Sequence, residues 1–198
     1  GYREYRNDFW RSTDGKDWTQ VKERSEPELD SLYDWHPRFN HSCVVANHGG
    51  TGYIYLIGGY TMLEGYDSSY SMKYFNDVWR SRDGVEWELL TEAAGWSPRP
   101  GHQCGVIREQ LVCFGGFGLP ENPTDVWVSE DGTDWELLST PPWNARSGED
   151  IKYDFDVIIT ETDSIEPRPA IYTFGGDRET FDLDDPLNYL RVDDDGWV

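Results

Sequence analysis

The sequence predicts an all-β protein made of repeated antiparallel sheets. Three observations lead to this prediction: a tryptophan-bearing hairpin motif recurs, apolar runs ending in Gly-Gly recur with it, and helical periodicity is absent. The chain has 198 residues and a formal net charge of −21, which for an apolar-poor chain would favour disorder. Ten Trp, twelve Tyr and eight Phe supply large apolar side chains, so we expect a folded, aromatic-rich core.

The hairpin motif occupies residues 8–18, 77–87 and 125–135, and 187–197 reads as a degraded copy with Leu190 near the first Trp position. In each complete copy two tryptophans stand eight residues apart and flank an Asp-Gly pair. Asp-Gly between apolar runs is a strong signal of a tight turn joining two strands. We expect the tryptophans to fill the space between neighbouring sheets, so that Trp87→Ala or Trp135→Ala destabilises the fold. The six tryptophans are Trp10, Trp18, Trp79, Trp87, Trp127 and Trp135.

Short apolar runs at 53–60, 111–118 and 170–177 predict buried strands. Each run stops at two glycines, where the backbone needs positive φ or must approach another backbone closely. These glycines are Gly58, Gly59, Gly115, Gly116, Gly175 and Gly176. A further element opens each unit with a tryptophan and, three residues later, an arginine; His41 and His102 follow the first two arginines at the same spacing.

A repeated unit of four antiparallel strands is typical of a β-propeller blade. The motifs resemble the kelch repeat family, whose pattern joins Arg-x-x-His, an apolar strand ending in Gly-Gly and a Trp-bearing hairpin. This resemblance implies a kelch-type β-propeller of which the chain holds about 3.5 blades. Residues 1–24 are expected to form one outer hairpin, 37–95 and 96–142 two blades, and 143–198 most of another. Because propellers usually need 4–8 blades to close, we expect further blades from a longer chain or from partner subunits.

The resemblance also indicates where partners bind. In such propellers the loops after the diglycines and before the arginine-bearing strands tend to face the end where partners dock. Blade one carries a long insertion at 61–75 that is rich in aromatic residues and Met, which are enriched at interfaces. Deleting this insertion is expected to leave stability nearly unchanged and to abolish partner binding. The candidate partner-binding residues are Arg38, Arg99, Arg146, Tyr60, Tyr66, Tyr70, Tyr74, Phe117 and Asp177.

The charge balance argues against two classes of ligand. With 38 acidic against 17 basic residues, the chain would repel nucleic acid and anionic membranes. No run approaches the ~18 apolar residues of a membrane helix, so no membrane insertion is expected. The compartment stays open, with an extracellular or cell-surface setting favoured over the cytoplasm.

Cysteines, a sequon and possible metal ligands are less informative. A Cys104–Cys113 bond is conceivable, but buried thiols are the favoured interpretation. Asn40 begins a single N-glycosylation sequon, a weak candidate for modification. No metal or cofactor is predicted, because the histidine spacing and the acidic runs at 182–185 and 193–195 lack the geometry of familiar sites.

The leading functional hypothesis is a non-enzymatic module that binds proteins or has a structural role in a larger assembly. One alternative is a fragment of a propeller enzyme, either a galactose-oxidase-like copper oxidase or a glycan-processing protein. Another is a glycan-binding module whose exposed aromatic residues stack on sugar rings. No catalytic residue is assigned.

Overall fold

A computed structural model describes residues 4–64, 70–117, 123, 125–139, 155–160, 168–176 and 196–197. All regular secondary structure in these residues is β. The strands are β1 (Phe9–Ser12), β2 (Trp18–Lys22), β3 (Ser42–His48), β4 (Thr51–Glu64), β5 (Tyr70–Ser81), β6 (Glu88–Thr91), β7 (His102–Ile107), β8 (Gln110–Gly115), β9 (Val126–Ser129), β10 (Glu136–Ser139), β11 (Asp156–Thr160), β12 (Ala170–Phe174) and β13 (Gly196–Trp197).

Consecutive strands pair antiparallel in four sheets. The first sheet is β1-β2, the second β3-β4-β5-β6, the third β7-β8-β9-β10 and the fourth β11-β12-β13. The prediction of an all-β fold built from four-stranded antiparallel sheets is therefore confirmed. Short connections favour this order because an antiparallel pair can be joined by a tight hairpin.

Apolar side chains pack between successive sheets. Because side chains alternate across a strand, Leu56 of β4 joins a cluster with Trp87 and the first-sheet residue Phe9. Its neighbours Tyr55 and Ile57 point the other way, into a cluster shared with the third sheet. A third cluster joins the third sheet to the fourth. The core thus lies between sheets that follow one another along the chain.

The repeated tryptophans do not share one environment. Trp79 and Trp87 are buried, and Trp127 and Trp135 pack against the cluster between the second and third sheets; Trp10 and Trp18 are exposed. The expectation that all six fill space between sheets is wrong for Trp10 and Trp18. Phe9 points toward the second sheet, so its neighbour Trp10 points to the opposite face of the first sheet.

Side chains close the hairpin loops around the Asp-Gly pairs. Ser81 Oγ accepts a hydrogen bond from the Gly84 N–H at 2.8 Å, and Asp83 Oδ1 accepts one from the Val85 N–H at 2.8 Å. The hydrogen bond from the Val85 N–H lowers the pKa of Asp83. Gly84 has a φ of +82°, a conformation that glycine adopts readily. The loop between Ser81 and Glu88 is longer than the tight turn expected at the Asp-Gly pair, and the side chains of Ser81 and Asp83 accept backbone hydrogen bonds within it.

The degraded motif at 187–197 has a different register from the one expected. Trp197 pairs with Thr173 of β12, as Trp79 pairs with Leu56 and Trp127 with Cys113. Thr173, Leu56 and Cys113 all stand two residues before a diglycine. Trp197 therefore matches the first tryptophan of the motif, and the placement of Leu190 at that position was wrong.

Cys104 and Cys113 form a disulfide that joins β7 to β8. The two residues lie directly opposite each other in the ladder, with Cα atoms 4.2 Å apart. The interpretation of these residues as buried thiols is wrong, because direct cross-strand pairing brings their side chains within bonding reach. Cys43 is a free, exposed thiol.

The described residues of the insertion, 61–64 and 70–75, extend β4 and β5 as paired strands. After a bulge between Ile57 and Gly59, β4 and β5 continue to pair from Tyr60 with Tyr74 to Glu64 with Tyr70. A bulge bends the strand that carries it, so the extension leaves the line of the sheet. We call residues 60–64 and 70–75 the arm.

Candidate functional site

In each four-stranded sheet an arginine, an aspartate and a tryptophan form one hydrogen-bonded cluster, which is buried in the second sheet and half-buried in the third. In the second sheet, Arg38 Nη1 and Nη2 donate to Asp77 Oδ1 and Oδ2 at 2.5 and 2.9 Å. Trp79 Nε1 donates to Asp77 Oδ2 at 2.8 Å. Arg38 Nη1 also donates to the Gly58 carbonyl oxygen at 3.0 Å, which ties the cluster to the diglycine.

The third sheet repeats this arrangement. Arg99 donates to both carboxylate oxygens of Asp125 at 2.5 and 3.0 Å, and Trp127 Nε1 donates to Asp125 Oδ2 at 2.7 Å. Burial opposes the charged form of Asp125, but the bonds from Arg99 and Trp127 lower its pKa. Arg38 and Arg99 are buried, and their guanidinium groups are engaged within the chain. They do not offer the exposed contacts expected of partner-binding residues, because each is buried and pairs with a carboxylate of its own sheet.

The diglycines bring neighbouring sheets together at one end. Gly58 and Gly59 have φ values of +58° and +92°, and a Cβ on Gly59 would lie 2.8 Å from the Phe39 carbonyl oxygen. The Gly59 N–H donates to the Arg99 carbonyl at 3.2 Å, and the Arg99 N–H donates to the Phe75 carbonyl at 3.2 Å. Close backbone approach therefore joins the second sheet to the loop that enters the third.

Two histidines lie beside these glycines. A Cβ on Gly58 would meet His102 Cε1 at 2.8 Å, and one on Gly59 would meet His41 Cβ at 2.8 Å. Burial lowers the pKa of His41 to about 4 and that of His102 to about 3. Both rings are therefore neutral at pH 7.

Five half-buried aromatic rings form a row along the same end. Ring centroids are 5.0 Å apart for Tyr5 and Phe39, 3.8 Å for Phe39 and Tyr60, 5.8 Å for Tyr60 and Tyr74, and 6.2 Å for Tyr74 and Phe117. We call these five residues the aromatic row. The row runs from the segment before the first sheet to the loop after the third sheet's diglycine.

The arm extends this row outward. Every second cross-strand pair of the arm points to the same face of the ribbon. These pairs are Tyr60 with Tyr74, Met62 with Met72 and Glu64 with Tyr70. Tyr70 is 55% exposed and Met72 59% exposed. The Tyr74 hydroxyl donates to Met72 Sδ at 3.5 Å, and burial raises the pKa of Tyr74. We call this side the arm face.

The other side of the arm borders a cleft of about 210 Å³. Lys73 and Phe75 line one wall, and the segment containing Leu32 and Asp34 lines the other. Thr61 is buried on this side of the ribbon. The two sides of the arm therefore differ in chemistry: the arm face carries tyrosine and methionine side chains, whereas the opposite side carries Thr61, Lys73 and Phe75.

The structure brings together three of the predicted partner-binding residues, Tyr60, Tyr74 and Phe117. Tyr70 lies farther along the arm, while Tyr66, Arg146 and Asp177 lie outside the described residues.

Sequence reasoning missed Tyr5 and Phe39. Phe39 has no counterpart in the next repeat, where Pro100 follows Arg99, so the repeat pattern carried no signal for it. Tyr5 lies ahead of the first hairpin motif, outside any repeated element.

Asn40 is exposed at a φ of +50°, and Ser42 of the sequon is buried. Ser42 Oγ accepts a hydrogen bond from the Cys104 N–H at 3.0 Å. Glycosylation of Asn40 stays a prediction.

No three His, Cys, Asp or Glu side chains in the described ranges form a group that could hold a metal ion. The same part of the chain contains no helix long and apolar enough to cross a bilayer.

The antiparallel sheets and their repeated arginine, aspartate and tryptophan clusters are consistent with an incomplete propeller of the kelch type. No protein-family model matches the chain. Over 85 residues the chain is 34% identical to Kelch domain-containing protein 1 from Mus musculus. The match covers 41% of this chain and 19% of that protein, so the chain corresponds to a small part of its curated relative. The resemblance to kelch repeats inferred from the motifs is confirmed.

Proposed function

We propose that this kelch-repeat module binds a protein partner through the arm face and the adjoining aromatic row. The observation that carries the proposal is the continuity of the two surfaces. Tyr60 and Tyr74 belong to both, and Met72 and Tyr70 continue the same side of the ribbon into solvent. Contiguous exposed apolar surface of this kind marks interaction sites.

The residue types suit a protein partner. Tyrosine offers a large, rigid contact area with little conformational entropy to lose, and methionine adapts its shape to a partner surface. The arm presents them on a paired backbone ladder, so little ordering is needed on binding. The similarity to Kelch domain-containing protein 1 supports the class of module.

The test is partner capture with a surface variant. The double variant Tyr70→Ser with Met72→Ser removes the two most exposed apolar groups of the arm face. Tagged wild-type and variant chains are incubated with extract of the native cells, and captured proteins are quantified by mass spectrometry. We expect at least a tenfold loss of a specific partner from the variant.

The matched control is the double variant Val45→Ser with Leu138→Ser. These residues are also exposed apolar groups, but they lie on β3 and β10, outside the arm. This control should retain the partner. If the arm-face variant captured as much of the partner as the control variant does, the arm face would not be the binding surface.

The deletion of 61–75 is not a clean test. Thr61 and Phe75 are buried, and the Phe75 ring lies 3.7 Å from the Arg38 guanidinium carbon. We therefore expect this deletion to lower stability as well as to remove the arm, so a loss of binding would have two causes. Replacing residues 63–71 with Asn-Gly would shorten the arm and keep the Met62 and Met72 pair beside a two-residue turn.

The disulfide between Cys104 and Cys113 supports placing the protein in an oxidising compartment, where disulfides persist. This continues the expectation of an extracellular or cell-surface setting. Non-reducing peptide mapping of protein from its native source should recover the linked peptides; free thiols at both positions would argue for the cytoplasm. No contact among the described residues favours the copper-oxidase, glycan-processing or glycan-binding alternatives, so none is proposed.

A further inference from the structure

The arm carries β4 and β5 beyond the part of the sheet that β3 and β6 cover. β3 pairs with β4 as far as Ser42 opposite Ile57, and β6 pairs with β5 no farther than Val78. One bridge lies beyond these points, where the N–H groups of Phe39 and Tyr60 each donate to the other residue's carbonyl oxygen at 3.0 Å. Within the described ranges, the arm past Tyr60 has no strand paired to either edge.

The bridge at Tyr60 determines which backbone groups of β4 point outward. Because Tyr60 directs its N–H and C=O groups at Phe39, it directs neither at Tyr74, the residue opposite it on β5. In an antiparallel ladder such non-hydrogen-bonded pairs alternate with hydrogen-bonded pairs. Met62 and Glu64 therefore also turn their N–H and C=O groups away from β5, toward the edge on which Phe39 lies. These four backbone groups can receive an added strand.

The β4 edge of the arm lacks two common blocks against strand addition. Proteins often protect an exposed edge with lysine or proline. Residues 60–64 read Tyr-Thr-Met-Leu-Glu and contain neither. The other edge, on β5, carries Lys73. The β4 edge is therefore the more open of the two.

Charge indicates which kind of strand suits this edge. Glu64 is exposed, and its side chain shares the arm face with that of Met62. In antiparallel addition the residue opposite Glu64 places its side chain on the same face, where a lysine or arginine can form a cross-strand ion pair. A second copy of the chain fits poorly, because two molecules of net charge −21 repel each other.

We propose that a different protein adds a strand, antiparallel to β4, to the edge of the arm at Met62 and Glu64. This inference rests on the proposed function and specifies how the partner binds. The occupant is an extended segment with the pattern basic-x-apolar, in which the basic residue lies opposite Glu64 and the apolar residue opposite Met62. Backbone hydrogen bonds supply affinity in such a complex, and the alternating side chains supply selectivity.

The probe is the peptide acetyl-Thr-Thr-Lys-Thr-Val-Thr-Thr-amide, titrated into the isotopically labelled chain and followed by NMR. We expect the amide resonances of Met62 and Glu64 to shift and their hydrogen exchange to slow, because both N–H groups gain an acceptor. Replacing the peptide's lysine with glutamate should weaken binding at least tenfold. Unshifted amides at both positions, or equal binding of the lysine and glutamate peptides, would overturn the proposal.

Two N-methylated peptides test the backbone hydrogen bonds without altering the chain. In the first, the lysine and the valine are N-methylated, which removes the N–H groups directed at β4. In the matched control, the two threonines that flank the valine are N-methylated, and their N–H groups point away from β4. We expect the first peptide to bind at least tenfold more weakly than the control. Equal binding would rule out strand addition.

Chain variants test the same hydrogen bonds from the other side. Met62→Pro removes an outward N–H without breaking the ladder to β5, whereas Met62→Val keeps that N–H. We expect the proline variant to bind the peptide at least tenfold more weakly than the valine variant. At Met72, on the opposite edge, the proline and valine variants should bind it equally. Thermal melts establish that all four variants fold, and equal binding by the two Met62 variants would contradict the proposal.

Two further measurements separate this inference from the function on which it rests. If the chain alone forms a dimer that Met62→Pro dissociates and Met62→Val does not, a second copy occupies the edge and the proposal fails; sedimentation equilibrium measures this. If Tyr70→Ser with Met72→Ser loses the captured partner but the peptide tests fail, the arm face binds protein without an added strand. Retained capture together with successful peptide tests would instead overturn the proposed function.

Discussion

Arg38 donates two hydrogen bonds to Asp77, and both residues are buried in the second sheet. A buried carboxylate without its cation is destabilising, because its desolvation is no longer offset by the attraction of the opposite charge. The cluster therefore explains why an arginine recurs at this point of the repeat. Arg38 joins the diglycine at Gly58 in β4 to Asp77 in β5.

Replacing Arg38 with Met should lower the free energy of unfolding by about 3–5 kcal/mol, because Asp77 stays buried without its partner. Urea unfolding followed by circular dichroism measures the change. The control Arg6→Met breaks the exposed pair between Arg6 and Glu4 and should cost less than about 1 kcal/mol. Equal losses in the two variants would contradict a buried structural role.

His41 and His102 make stability depend on pH. Their folded-state pKa values, about 4 and about 3, lie below the ordinary value of 6.5, so the unfolded chain binds protons first as pH falls. Stability is then fully present above pH 6.5 and is lost as pH falls toward the folded pKa values. The aspartates with lowered pKa values add their own loss only below about pH 4.

Between pH 7 and pH 5, each of these histidines should cost about 2 kcal/mol of unfolding free energy. His102→Gln should remove about that much of the fall, whatever it does to stability at pH 7. Urea unfolding at both pH values tests this, and parallel pH profiles for wild type and His102→Gln would refute it.

Among the strands and turns, the hairpin motif shows how one local sequence serves two environments. The covered hairpin of the second sheet buries Trp87 between Trp35 and Phe9. The first hairpin has the same turn, with Ser12 Oγ accepting from the Gly15 N–H at 2.8 Å, but its Trp18 is exposed. How much a hairpin tryptophan contributes to the free energy of unfolding therefore depends on which side chains pack against it.

Trp87→Ala and Trp135→Ala should each lower the free energy of unfolding by about 3–5 kcal/mol, since each removes an aromatic ring from a packed cluster. Trp18→Ala should cost less than about 1 kcal/mol, because little buried area is lost. Thermal and urea unfolding compare the three. A Trp18→Ala variant as unstable as Trp87→Ala would show that the hairpin tryptophans act within their own turns.

The disulfide ties β7 to β8 across a short loop of sequence separation 9. Reduction should lower the free energy of unfolding by about 2–3 kcal/mol, because the reduced unfolded chain regains loop entropy. Unfolding with and without a phosphine reductant measures this. The control Cys43→Ser should show the same fall, whereas Cys104→Ala with Cys113→Ala should not respond; a response there would implicate something other than the bond.

Over the complete chain, the net charge of −21 produces self-repulsion that opposes the compact state. Added salt screens exposed charges more than buried pairs such as that of Arg38 and Asp77. The melting temperature should therefore rise by a few degrees between roughly 10 and 150 mM NaCl. Differential scanning calorimetry tests this, with sucrose as an uncharged control for solvent exclusion; a fall in NaCl would indicate that attractive ion pairs dominate.

Much of the fold was predictable because its signals are local. The alternating apolar runs, the paired glycines and the Asp-Gly turns each act within a few residues, and spacing alone reveals them. The candidate site was only partly predictable. Tyr60, Tyr74 and Phe117 were found through the repeat and the insertion, whereas Phe39 has a proline at its repeated position and carried no such signal.

The amino-acid pattern established the all-β class, the order of the strands and the turns between them, since short-range backbone preferences set these features. Contacts between distant residues established the rest. Arg38 meets Asp77 across 39 positions, and Trp10 and Trp79 occupy identical motifs yet differ in exposure. A side chain's burial and partners depend on which other sheet lies against it, and the hairpin motif contains no information about that neighbour.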